Sequence, residues 1–194
     1  MMNEIAELVG RLQDVTVRIR AGGRGRRMAR GSGWGSGVLW RPGVVVTNAH
    51  VVAAVSPLVV ETARGAVGEA RLVARDPRQD LAVLHVEPEL QPRSFPSPGP
   101  RGAMRIGELV LAIGNPPGLD GAVTTGIVHS LVTPRRGIPL ILADLRLVPG
   151  NSGGPLGDAA GRVVGVNAMV VRGLAAAIPS DVVERFLERV RLAA

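Results

Sequence analysis

The 194-residue sequence lacks cysteine, lysine and tyrosine, and the first two absences exclude whole classes of protein. Without cysteine there is no disulfide scaffold, thiolate zinc site, iron–sulfur cluster or cysteine nucleophile, and the redox compartment stays undetermined. Without lysine, a lysine-dependent phosphate loop, a Schiff-base enzyme and a protein kinase are excluded as well. All 23 basic side chains are therefore arginines.

Aromatic residues and long apolar runs are also scarce. The net charge is +7, but two Trp and two Phe are too few for a nucleic-acid groove that stacks bases on aromatic rings. We therefore expect no nucleic-acid partner, and we expect a solvated loop around Arg24, Arg26, Arg27 and Arg30. No run approaches the roughly 20 apolar residues that span a bilayer, so no membrane partner is expected. The first residues do not resemble a signal peptide, which predicts a cytoplasmic protein, or an extracytoplasmic one if a leader was removed.

Many short β-rich runs, broken by Gly or Pro every several residues, predict an all-β barrel or sandwich. Val15, Val17 and Ile19 alternate with polar residues, which is typical of a half-buried strand. Further runs lie at 38–40, 44–47, 58–61, 70–74, 81–86, 109–113, 123–128, 140–142, 163–166 and 176–178.

Helical periodicity flanks these runs. Ile5, Leu8, Val9 and Leu12 predict a helix over 3–13 that packs with one face, and a second helix is predicted over 181–192. Prolines 88, 92, 96, 98 and 100 indicate a linker. We therefore divide the chain into a helix and first β-half (1–92), a Pro-rich linker (93–104), and a second β-half with the final helix (105–194).

The strongest local signal for chemistry is the Gly-rich segment 150–156, which contains Ser152. A serine hydroxyl attacks a carbonyl only when a base takes its proton. Glycines let the backbone turn sharply, so the amides of Gly150 and Ser152 could stabilise the oxyanion of a tetrahedral intermediate. A plain Gly-rich β-turn and a phosphate-binding loop are the alternatives.

Three histidines and a few carboxylates could complete such a site. His50 follows a buried run and is the favoured base, whereas His85 and His129 fit structural positions on strands. Asp80 opens the apolar run 81–86, where lost hydration requires a partner, so it is the favoured acid. Asp76 precedes a proline and fits a turn, and Asp144 is the weaker rival.

Seven phrases of the sequence resemble the HtrA/Deg-type branch of the trypsin-like serine proteases, in the order of that family. They lie at 35–37, 46–52, 80–84, 114–116, 125–128, 149–156 and 177–179. The resemblance implies two perpendicular six-stranded Greek-key barrels with short terminal helices and the active site between them. It also implies a triad of His50, Asp80 and Ser152, with an oxyanion hole from Gly150 and Ser152 and with no metal or cofactor.

The sequence departs from that family in three ways. We expect no peptide-binding PDZ domain of the kind that usually follows the protease domain, and the long loop after the first strand is expected to be reduced to 22–33. Residues 1–20 contain no aromatic of the kind that usually holds family trimers together. We therefore expect a monomer, with a trimer as the alternative.

The residues ahead of the nucleophile are expected to wall the primary specificity pocket. An inward Arg146 predicts a preference for acidic side chains. An outward Arg146 leaves Leu147 and the small residues Ala175 and Ala176 around a modest apolar pocket. We favour the outward orientation, because a buried unpaired arginine is costly. Further substrate-binding candidates are Asn167, Ala168 and Met169, which could pair with a peptide by strand addition.

The resulting hypothesis is a serine endopeptidase that cleaves unfolded or flexible polypeptides through an acyl-enzyme. A catalytically silent barrel scaffold that binds peptides by strand addition is the alternative. A basic nucleic-acid binder is the third and weakest.

Overall fold

The computed structural model describes residues 2–21, 34–52, 57–99, 104–133 and 137–190. In these residues the chain forms two closed six-stranded antiparallel β-barrels and two short helices. The all-β double-barrel prediction is therefore confirmed. The predicted arginine-rich loop, with Arg24, Arg26, Arg27 and Arg30, lies outside the described residues.

The first barrel closes in the order β1-β2-β3-β6-β5-β4. Alternate side chains of its strands fill the interior, with Val17 and Ile19 fully buried as their alternation with polar residues predicts. Its strands are β1 (Thr16–Ala21), β2 (Trp34–Arg41), β3 (Val44–Thr47), β4 (Leu58–Thr62), β5 (Val67–Asp76) and β6 (Leu81–Val86).

The second barrel closes in the order β10-β11-β12-β9-β8-β7. Its strands are β7 (Leu109–Gly114), β8 (Ala122–Val132), β9 (Leu140–Asp144), β10 (Pro155–Asp158), β11 (Val163–Val171) and β12 (Leu174–Pro179). Strand β10 was not predicted, because its Pro, Gly and Asp are residues that isolated strands avoid. Pairing with β7 and β11 holds it in place, and Pro155 occupies the first position, where proline is tolerated.

The two helices are α1 (Met2–Asp14) and α2 (Ser180–Arg189), joined to the strand framework by apolar faces. Leu8 and Leu12 of α1 are buried as predicted, but the same prediction is wrong for Ile5, which is 55% exposed at the start of the helix. Neither helix is long and apolar enough to cross a bilayer, among the residues that the structure describes.

A shared apolar cluster joins the barrels and fixes their relative position. Val46 and Val83 of the first barrel pack in one cluster with Ile113 and Val166 of the second, and with Phe186 of α2. Polar contacts secure the same helix, because the Glu184 carboxylate accepts a hydrogen bond from Trp40 Nε1 at 2.8 Å and pairs with Arg41. The two barrels and α2 therefore share one apolar core.

Candidate active site

His50 and Asp80 are brought together by the pairing of β3 with β6. Thr47 is opposite Ala82 in that pair, so the chain leaving β3 runs beside the chain entering β6. Asp80 Oδ2 lies 2.8 Å from His50 Nδ1, and its Oδ1 lies 3.0 Å from the same nitrogen. The backbone N–H of His50 also donates to Asp80 Oδ1 at 3.0 Å. One carboxylate therefore fixes both the main chain and the ring of the histidine.

Neighbouring side chains hold this pair in a specific backbone geometry. Asp80 has a φ of 51°, in the left-handed region that few residues other than glycine adopt. The fully buried side chain of Asn48 donates to the Asp80 carbonyl at 3.0 Å, and Arg75 Nε donates to the Ala49 carbonyl at 3.0 Å. The Asp80 side chain is 17% exposed and the His50 ring 51% exposed. The acid is therefore sheltered, and the base is half-exposed.

The rival candidates lie elsewhere. Asp76 accepts hydrogen bonds from the backbone N–H groups of Arg78 and Gln79, as expected of a turn former. Asp144 is exposed at the end of β9, His85 lies within β6 and His129 lies within β8. In the described portions of the chain, the carboxylate that contacts His50 is that of Asp80.

Ser152 lies on the sharp connection between β9 and β10. Asn151 N–H donates to the Val148 carbonyl at 3.0 Å, and Gly154 N–H donates to the Asn151 carbonyl at 3.0 Å. Gly153 has a φ of 86°, and a Cβ atom there would lie 2.0 Å from the Ser36 carbonyl oxygen. Only glycine fits such a position, because both the backbone conformation and the space exclude a side chain.

Two backbone amides in this segment are free to bind an anion. Among the described residues, neither the N–H of Gly150 nor that of Ser152 donates to a protein acceptor. Gly150 has a φ of 103° and packs tightly against Pro116. A Cβ added to Gly150 would lie 2.5 Å from the Cα of Pro116. The two amides that were predicted as oxyanion donors thus lack a protein acceptor among the described residues, and Gly150 lies on a constrained backbone.

His50 and Ser152 line the same cleft of about 370 Å³ between the barrels. The Ser152 hydroxyl donates to the carbonyl of Ala168 at 2.9 Å, and no hydrogen bond joins it to His50 in the described part of the chain. Ala168 lies at a bulge in β11, between residues that pair with β12. The structure therefore brings the base and the hydroxyl to one cleft, with the hydroxyl turned toward β11.

The apolar wall of the cleft consists of Leu147 and Val148 ahead of the serine, with Met169 and Val170 of β11. Arg146 is exposed and does not line this cleft, while its carbonyl accepts a hydrogen bond from Thr124 Oγ1 at 3.0 Å.

Two of the predicted substrate-binding residues are interior. Asn167 is buried and donates to the Pro155 carbonyl at 2.9 Å, and Ala175 packs in the core of the second barrel. Of the predicted set, Leu147 and Met169 reach the cleft, and Ala168 presents its carbonyl to Ser152.

Trp34, Ser36 and Asn115 adjoin the cleft or the Ser152 segment and were not assigned a role from the sequence. Trp34 lines the cleft and donates through Nε1 to the Asn115 carbonyl at 2.7 Å, while Ser36 donates to the Gly150 carbonyl at 2.7 Å. Ser36 and Asn115 lie in the phrases 35–37 and 114–116 that carry the family resemblance. Their contacts, however, join residues about 80 and 114 positions apart in the sequence. No local spacing reveals such pairs.

Within the described ranges, no three histidine or carboxylate side chains are grouped in a way that could hold a metal ion.

The chain matches a known family and several curated relatives. Residues 35–166 match the family described as "Trypsin-like peptidase domain". Over 173 residues, covering 84% of this chain and 36% of the relative, it is 38% identical to a probable periplasmic serine endoprotease DegP-like of Pseudomonas fulva. It is 37% identical to the putative serine protease HhoA of Synechocystis, covering 81% of this chain and 42% of that protein.

The solved structures agree with the sequence matches. The HtrA-type protease AlgW with a tripeptide superimposes with a TM-score of 0.82 at 31% identity, covering 94% of this chain and 62% of that one. The chain thus spans well under half the length of these curated relatives, and under two thirds of the solved chain.

These relatives correct one prediction and establish the family. The cytoplasmic location predicted from the N-terminal residues is wrong, because relatives are named as probable periplasmic serine endoproteases. The N-terminal residues carry no information on location, because they form α1, whose buried leucines pack on the protein itself. Because residues 35–166 match the peptidase family and the relatives are DegP-like and HtrA-type proteases, this chain belongs to the HtrA/Deg-type branch of the trypsin-like serine proteases.

Proposed function

We propose that the chain is a serine endopeptidase that cleaves unfolded or flexible polypeptides through an acyl-enzyme, with His50, Asp80 and Ser152 as its triad. The observation that carries the proposal is the double hydrogen bond from His50 to Asp80 at the rim of a cleft that Ser152 shares. The family relationship supports the same reaction class.

The acid orients the base. With its Nδ1–H donated to Asp80, the His50 ring keeps Nε2 unprotonated and available to accept the proton of Ser152. As the proton leaves, Ser152 Oγ forms a bond to the carbonyl carbon of the substrate, and the carbonyl electrons move to its oxygen. The Asp80 carboxylate stabilises the resulting imidazolium without taking its proton.

The free amides of Gly150 and Ser152 receive the new oxyanion. Donors on a constrained backbone need little reorganisation when the charge develops, which is why such groups lower the barrier. Collapse of the intermediate breaks the peptide bond, and His50 returns its proton to the leaving amine. Water, deprotonated by the same histidine, then hydrolyses the ester and restores Ser152.

Attack requires a rotation of the Ser152 side chain. Its hydroxyl now donates to the Ala168 carbonyl, which the bulge leaves outside the regular pairing of β11 with β12. A peptide added beside β11 would offer a backbone N–H to this carbonyl. That N–H would replace the hydroxyl and free it to turn toward His50. Substrate binding and activation of the nucleophile are thereby linked.

The cleft wall favours a medium-sized aliphatic residue before the cleaved bond. Leu147, Val148 and Met169 present apolar surface, and exposed Arg146 lies outside the lining. A peptide library varied at that residue is expected to select Val, Ala or Leu. Selection of Asp or Glu would contradict this assignment and favour an inward Arg146.

The direct test is hydrolysis of casein by the wild-type chain and by Ser152→Ala. Wild type is expected to degrade casein, and the variant is expected to lose activity while keeping its circular dichroism spectrum. Undiminished turnover in Ser152→Ala would remove the serine from its role. A wild type that binds casein without cleaving it would instead indicate a silent scaffold.

A further inference from the structure

Ser36 is a fully buried polar residue of the first barrel that contacts the nucleophile segment of the second barrel. It lies on β2, two residues after Trp34, where β2 pairs with β1 on one side. Its other side faces the connection that carries Ser152. A hydroxyl in such a position is costly unless it is hydrogen-bonded, so its partners identify its role.

The hydroxyl of Ser36 has three polar neighbours. It donates to the Gly150 carbonyl at 2.7 Å, and it accepts from the backbone N–H of Asn115 at 2.9 Å. The side-chain amide of Asn115 also donates to it, at 3.2 Å. The hydroxyl therefore has all its hydrogen-bond partners. It joins β2 to two segments of the second barrel, at Asn115 and at Gly150.

The main chain of Ser36 makes two further contacts. Its N–H donates to the carbonyl of Ser152 at 2.8 Å, and its own carbonyl accepts from Thr47 Oγ1 at 2.6 Å. Thr47 is also fully buried and ends β3, three residues before His50. Ser36 is thus held by the strand that leads to His50, and it donates to the main chain of Ser152.

These bonds enclose one of the two free amides. Ser36 holds the carbonyl of Gly150, in the peptide unit before Asn151, and the carbonyl of Ser152, in the unit after the nucleophile. Between these two units lies the peptide whose N–H belongs to Ser152. The carbonyl of this same peptide, that of Asn151, accepts from Gly154 N–H at 3.0 Å. The Ser152 N–H therefore cannot rotate away without breaking that hydrogen bond, and Ser36 fixes the peptide units on either side.

We infer that Ser36 is a positioning residue that sets one oxyanion-binding amide of the second barrel, that of Ser152, from the framework of the first barrel. The inference rests on the proposed peptidase function and deepens it. Ser36 does not touch the reacting atoms, and it acts through the Gly150 carbonyl. Its effect is therefore expected in the chemical step and not in substrate binding.

The test is steady-state hydrolysis of a fluorogenic peptide by wild type and Ser36→Ala, with folded protein quantified by circular dichroism. The variant loses the hydroxyl that donates to Gly150 at 2.7 Å and accepts from Asn115. The Gly150 carbonyl keeps only the longer bond from Asn115 N–H, at 3.3 Å, and the backbone bond of residue 36 to Ser152 remains. A small displacement of a catalytic donor costs up to about 100-fold in rate, so we expect kcat to fall about 10- to 100-fold. KM is expected to change less than about threefold, because the cleft wall is untouched.

A matched control separates this effect from general destabilisation. Thr16 is another buried hydroxyl residue of the first barrel, and its Oγ1 donates to the Leu12 carbonyl at 2.6 Å, away from the cleft. Thr16→Val removes one buried hydrogen bond of the same kind and is expected to keep kcat within about twofold of wild type. A role of Ser36 in stability alone predicts the same result for both variants.

A second variant decides the matter if Ser36→Ala does not fold. Thr47→Val keeps the shape of the side chain and removes the bond to the Ser36 carbonyl, so a several-fold loss of kcat at constant KM is expected. If whichever of the two variants folds has the kcat of wild type, the inference is overturned. The peptidase proposal would still stand in that case, because wild type is active. An inactive wild type would overturn both.

Discussion

Replacing Asp80 by asparagine is the substitution that isolates the role of the acid. Asparagine tolerates the left-handed backbone of this residue, whose φ is 51°, better than most residues do. Its amide oxygen can still accept the backbone N–H of His50, and the bond from Asn48 to the carbonyl of residue 80 is unaffected. The fold is therefore expected to survive.

The chemistry is not expected to survive. One oxygen of the carboxylate becomes an NH₂ group, which donates to Nδ1 of His50 where the carboxylate accepted. The ring then carries its proton on Nε2 and cannot take one from Ser152. Loss of the correct tautomer lowers kcat by about 10⁴-fold, or about 5.5 kcal/mol in the activation barrier.

The assay is initial-rate hydrolysis of a peptide substrate, with Asp76→Asn as the matched control. Asp76 accepts two backbone N–H groups in a turn, which an asparagine oxygen also accepts, so kcat is expected within about twofold of wild type. A folded Asp80→Asn protein with kcat within tenfold of wild type would refute the assignment of the acid.

Two further expectations concern stability, measured by denaturant unfolding. Gly153→Ala would place a Cβ 2.0 Å from the Ser36 carbonyl oxygen and is expected to cost more than about 3 kcal/mol. Gly173→Ala has a similar φ of 85° but open space, so about 1–2 kcal/mol is expected; equal losses would contradict the steric argument. Glu184→Gln is expected to cost about 1–2 kcal/mol by weakening the bond from Trp40 Nε1 that secures α2, and an unchanged unfolding free energy would show that this contact contributes nothing.

The sequence predicted the parts of the fold that depend on local patterns. Alternation of apolar and polar residues marked β1, and helical spacing marked α1. The prediction that Asp80 would need a partner also agrees with its contact to His50, because burial at the start of β6 follows from the apolar residues after it. Such features depend on residues near each other in the sequence.

The remaining features depend on contacts between distant segments. Strand β10 exists because β7 and β11 pair with its edges, and Ser36 has its role because a segment more than 100 residues later folds against it. The orientation of the Ser152 hydroxyl toward Ala168 likewise depends on a bulge in β11. No propensity or periodicity encodes these contacts.

Activation of Ser152 by His50 is the central claim, and covalent labelling with a peptidyl phosphonate tests it most directly. Intact mass and peptide mapping are expected to show one adduct, on Ser152, in the wild-type chain. Labelling of His50→Ala is expected to be slower by at least about 10³-fold, because the hydroxyl then has no base. A wild type that is not labelled at Ser152, or a His50→Ala chain labelled as fast as wild type, would contradict the account.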